Sequence, residues 1–97
     1  MAKAVSAEFI ERYQVEYQKN PRSRVFAPLA EAYRKLGLLD EALQVAQAGV
    51  KIHPEFASGR VALAKVLIDQ NDYAAAIEHL KVATRVSMDN LLAHSLL

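Results

Sequence analysis

Apolar side chains recur along most of this chain at intervals of three and four residues, the spacing that places them on one face of an α-helix. In "FIERYQVEYQKNP" the face is made by Phe9, Ile10, Tyr13 and Tyr17; further on, Leu43, Ala46 and Val50 repeat the rhythm. The intervals predict five helices, over roughly 6–19, 24–36, 40–53, 57–70 and 73–87, followed by a short apolar stub, "LLAHSLL". The fold class is therefore all-α.

The breaks between helices carry as much information as the helices. Gly37 stands just past a helix ending near Leu36, where a left-handed residue is needed and only Gly adopts that conformation without steric cost. Asp40 and Glu41 then bring negative charge to the start of the next helix, where unpaired amides favour it. So short a link folds the two helices into an antiparallel hairpin, and the small Ala42 lets their backbones approach at the crossing. A shift of 34 residues reproduces the design: Leu29, Ala30 and Ala42 recur as Leu63, Ala64 and Ala76, while Leu43 is answered by Ile77. Asn71 takes the place of the turn glycine, since Asn enters the left-handed region more readily than other side chains, and Asp72 follows as a cap.

A helical hairpin returning every 34 residues resembles the tetratricopeptide repeat. Residues 23–56 form repeat one, with Phe26 as the large first-turn residue, Leu29-Ala30, the aromatic Tyr33, the small Ala42 and the closing Pro54. Residues 57–90 form repeat two, through Leu63, Ala64, Leu67, Tyr73, Ala76, Leu80 and Ala83, with Arg60 in place of the large apolar residue and Met88 in place of the proline. Residues 6–21 match the second helix of an earlier hairpin, and residues 91–97 the start of a truncated third. The resemblance implies a single domain built as a short right-handed α-solenoid of antiparallel hairpins, its first helices lining a concave face.

On that face the resemblance places Arg24, Ala27, Glu31, Arg34 and Lys35 from repeat one, then Ser58, Val61, Lys65, Ile68 and Asp69 from repeat two. The set leans basic and is partly apolar, which suits a helical or extended peptide carrying a few acidic groups. Some members of the family hold a chaperone's C-terminal carboxylate in a clamp of Lys, Asn and Arg; the matching places here hold Ala27, Glu31, Ala62, Leu92 and Leu96, so that function does not carry over. Pro28 is expected in the first turn of its helix, where a missing amide costs little. Arg60 is expected to lay its stem over apolar surface and keep its head in water.

Composition narrows the chemistry. With 97 residues, 53% of them apolar and 24% charged, the chain is of a size for one small globular domain, and a net charge of +1 gives no bias towards nucleic acid or anionic membrane. It has no cysteine, no apolar run long enough to span a bilayer and no signal-peptide core, which makes the cytoplasm the expected compartment. His53, His79 and His94 are too far apart for two ligands on one helical face, and His53 is expected to end a helix. Glu8, Glu11 and Glu16 read as a solvated face. No phosphate loop, nucleophile motif or paired carboxylate is present, so no catalytic, cofactor-binding or metal-binding residue is expected. The reading is a non-enzymatic scaffold for a protein or peptide ligand of unspecified identity. Its rivals are an accessory domain of a larger protein and a self-assembling module, a homo-oligomer joined through Leu91, Leu92, Leu96 and Leu97.

Overall fold

The structure is a computed structural model that describes the backbone of residues 7–96 and the side chains of residues 10–93. It contains five helices: α1 (Ala7–Lys19), α2 (Phe26–Lys35), α3 (Leu39–Ile52), α4 (Ala57–Asp69) and α5 (Tyr73–Leu96). No strand occurs among the described residues. Successive helices pack on one another as hairpins, α2 with α3 and α4 with α5; α4 also lies against both α2 and α3, and α1 against α2.

The two hairpin turns have the same geometry. Gly37 has φ +81° and Asn71 φ +66°. After the first, the Leu38 amide donates to the Tyr33 carbonyl at 2.9 Å and the Gly37 amide to the Arg34 carbonyl at 2.9 Å. After the second, Asp72 donates to Leu67 at 2.8 Å and Asn71 to Ile68 at 2.9 Å. These paired bonds satisfy carbonyls that would otherwise be orphaned at a helix C-terminus. Asp72 accepts a long bond, 3.4 Å, from the Ala75 amide at the start of α5. At the start of α3, Asp40 and Glu41 contribute charge in the first turn, but no side chain caps the helix.

Small residues sit at both crossings as expected: Ala42 is fully buried and Ala76 nearly so. The centre of the first hairpin is Phe26, with no exposed surface. Its ring occupies a slot floored by Gly49 of α3 and Gly59 of α4, where a Cβ at either position would overlap it. His53 stacks on the ring with 2° between planes, and Phe56 meets it edge-on at 5.9 Å between centroids. Burying such a side chain contributes on the order of 1.5–3 kcal/mol. α1 is tied to α2 through Gln14, whose amide donates to the Tyr33 hydroxyl at 2.9 Å.

Three expectations are corrected. α2 begins at Phe26 rather than near residue 24, because Pro28 has no amide to offer the Arg24 carbonyl. That carbonyl instead accepts from the Ala27 amide at 3.2 Å, and Pro28 falls within the first turn. Arg60 stays partly exposed, but its guanidinium is held rather than free in water: its Nε donates to the Pro54 carbonyl at 3.0 Å and its Nη1 to Nδ1 of His79 at 2.9 Å. Finally, the chain does not turn between residues 87 and 91. α5 runs without interruption to Leu96, since Met88-Asp89-Asn90 holds neither proline nor glycine to stop it.

Candidate functional site

The face shared by α2 and α4 divides into three regions, and the ten residues expected on it are distributed among them. At the N-terminal end of α2, Arg24 lies over the Phe56 ring, its guanidinium carbon 5.1 Å from the centroid, a cation–π contact rather than an open charge.

At the opposite end the charges pair with each other. Arg34 donates from Nη2 to Glu31 Oε2 at 2.8 Å and from Nε to Oε1 at 3.2 Å, while its Nη1 reaches Asp69 Oδ2 on α4 at 3.0 Å. Lys65 lies 3.7 Å and Lys35 3.9 Å from Glu31 Oε2. The bidentate bond from Arg34 holds the Glu31 carboxyl below its ordinary value against the opposing effect of burial, helped by the charges of Arg34, Lys65 and Lys35. The same bond raises the Arg34 guanidinium further. Both groups stay ionised near neutrality, and Arg34, Lys35 and Asp69 are thereby engaged within the domain. Ile68 is exposed beside them.

Between these ends lies a cleft of about 700 Å³. Ala27, Pro28 and Glu31 of α2 form one wall, Ala57, Ser58, Val61, Ala62 and Lys65 of α4 the floor, and Leu80, Ala83, Thr84, Ser87 and Met88 of α5 the other wall. The structure thus brings Ala27, Glu31, Ser58, Val61 and Lys65 together; Arg24, Arg34, Lys35, Ile68 and Asp69 do not line this cleft. The α5 wall was missed by sequence reasoning that assigned binding to the first helix of each hairpin. A signal was present, because Leu80, Thr84, Ser87 and Met88 recur at helical spacing. Small side chains line much of the cleft, so a ligand backbone has room to approach, while Lys65 and the hydroxyls of Ser58, Thr84 and Ser87 offer polar contacts.

Of the residues expected to mediate self-association, Leu91 and Leu92 are exposed on α5 beyond the cleft. The side chain of Leu96 and all of Leu97 lie outside the described residues. Among the described residues no three His, Asp or Glu side chains converge as a metal ion would need, and no buried side-chain nitrogen or oxygen lacks a partner. None of the described helices is long and apolar enough to cross a membrane.

The sequence matches the family model for the tetratricopeptide repeat over residues 34–97, from the end of α2 through α5. No curated protein matches the chain. With two helical hairpins whose turns repeat bond for bond and a match covering most of its length, the chain belongs to the tetratricopeptide repeat family, whose members are generally non-catalytic modules for protein–protein interaction.

Proposed function

We propose that the chain is a non-enzymatic interaction scaffold that holds a protein or peptide segment in the cleft between α2, α4 and α5. In the solenoid reading of the fold this cleft lies on the concave side. The observation that supports it is the cleft itself, open and lined mainly by Ala, Val, Leu and Met, with Lys65 at its edge, half-exposed and 3.7 Å from Glu31, so that part of its ammonium stays open to a ligand. A segment presenting a narrow apolar stripe and a carboxylate fits those walls, the stripe against Val61 and Ala62 and the carboxylate towards Lys65. Arg34 adds little to such recognition, because Glu31 and Asp69 already take its donors.

The test is selection of peptides from a displayed random library on the intact chain, followed by titration calorimetry of the best binders. Val61→Glu places a charge on the cleft floor and should weaken the selected peptides by about tenfold or more, a loss of ~1.4 kcal/mol or greater. Lys65→Glu should weaken the acidic ones selectively. Affinities unchanged by both substitutions would remove the cleft as the binding site.

A further inference from the structure

The internal repeat shows what belongs on the α4–α5 face. Thirty-four residues before Leu80, Ala83 and Thr84 stand Ala46, Gly49 and Val50, all buried on α3, Gly49 against the Phe26 ring of α2, on a helix that packs against both α2 and α4. In the first hairpin, then, a helix of this same chain closes the face. In the second hairpin Ala83 is again buried and Leu80 partly so, and of the three only Thr84 is exposed, at the open cleft.

The α5 wall of that cleft does not stop at the cleft. Its residues follow helical steps of three and four, Leu80, Thr84, Ser87 and Met88, and the next steps reach Leu91 and Leu92, which are 59% and 57% exposed. The stripe is graded along its length: small or hydroxyl side chains at Ala83, Thr84 and Ser87, then bulky ones at Met88, Leu91 and Leu92. Because α5 is one unbroken helix to Leu96, the backbone of residues 89–96 continues along the axis of the cleft wall and cannot fold back into the cleft.

From these observations we infer that the cleft is filled by residues 88–96 of a second copy of this chain, in a reciprocal exchange between two antiparallel α5 helices. This deepens the reading of the cleft as a docking face and rests on it. A crossing centred on Met88 sets Leu92 of each copy level with Thr84 of the other, so that the bulky end of each stripe meets the hollow end of its mate twice over. The flank of the stripe is complementary in charge as well. Arg85, which reaches Asp89 at 3.6 Å within one helix and Glu55 at 3.4 Å, comes within about 3 Å of the level of Asp89 of the other copy across an antiparallel pair, two residues of helical rise, close enough for the two side chains to meet. The second copy and a foreign segment compete for one cleft, so self-association regulates binding.

The test is the mass of the intact chain by light scattering coupled to size exclusion over a range of concentrations, together with directed cross-linking. The chain contains no cysteine, so Met88→Cys should form a disulfide-linked dimer on mild oxidation, whereas Val15→Cys, exposed on α1, should not. Leu92→Lys and Thr84→Lys, both at exposed positions, should each return the mass to that of one chain with the helical circular dichroism of residues 7–87 retained. Peptides selected for the cleft should dissociate the dimer. A single-chain mass at every soluble concentration overturns the exchange, as does a dimer unaffected by Leu92→Lys, or Met88→Cys cross-linking no faster than Val15→Cys. In those cases peptide binding that remains sensitive to Val61→Glu shows the cleft reading standing without the exchange; a dimer that behaves as described alongside peptides insensitive to Val61→Glu shows the reverse.

Discussion

Phe26 shows how a single side chain sets the identity of residues far from it in sequence. Two glycines inside helices are unfavourable choices, each costing roughly 0.5–1 kcal/mol relative to alanine. Gly49 and Gly59 are nevertheless where a Cβ would enter the Phe26 ring, and the ring has no room to withdraw, being wholly buried and stacked on His53. Propensity and packing therefore oppose each other in Gly49→Ala, and their magnitudes decide the sign. Overpacking of a filled core costs about 1–3 kcal/mol, more than the propensity gain. Gly49→Ala should lower the midpoint of a urea melt, and a raised midpoint would show that the slot is looser than described. Arg60 teaches a related lesson: at a place where the repeat pattern has a large apolar residue, the guanidinium spans from the Pro54 carbonyl to His79 and joins α4 to α5 through polar contacts.

Among the elements, α5 differs most from its expected form. An expected stop after residue 87 rests on the repeat pattern, in which a proline closes the hairpin, yet the residue present is Met88 and a helix continues through any residue that does not oppose it. Met88→Pro should restore the stop, removing an amide and crowding the Thr84 carbonyl. Residues 88–96 should then lose helical circular dichroism while the melting midpoint of a single chain stays nearly constant, because the extension adds little to the core. Unchanged ellipticity would mean that the helix is already interrupted there. The turns were legible in the sequence because Gly37 and Asn71 are local devices, readable without knowing what surrounds them. Of the residues that the repeat resemblance put on the first helices, Ala27, Glu31, Ser58, Val61 and Lys65 line the cleft, because the resemblance says which helices share a face. The pairing of Arg34 with Asp69 was not legible, since an ion pair between residues 35 apart in sequence depends on how α2 lies against α4. The α5 wall escaped because its exposure depends on which face of the second hairpin remains open.

For the molecule as a whole, two titrations should be visible in the stability of the single fold. His79 accepts a hydrogen bond from Arg60 through Nδ1, which only the neutral imidazole can do. Burial, and then the charge of Arg60, hold its pKa below the ordinary 6.5, with Glu78 opposing. A folded-state pKa below the unfolded value means that this stabilisation is complete above about pH 6.5 and is lost as pH falls through the lower folded-state value. Glu31 acts in the same direction but further down, its contribution present above its ordinary 4.5 and lost below that. Thermal midpoints should therefore decline on acidification in two stages, and His79→Gln should remove the upper one; a profile flat from pH 7.5 to 5 in the parent would contradict this. The slot around Phe26 has a further consequence, for the order of events on the ribosome. Its walls come from Gly49, His53, Phe56 and Gly59, all of which leave the exit tunnel after the ring does. Until residue 59 has emerged, the Phe26 ring, fully buried in the finished fold, lacks the wall that Gly59 supplies, so its enclosure is complete only once the start of α4 is available.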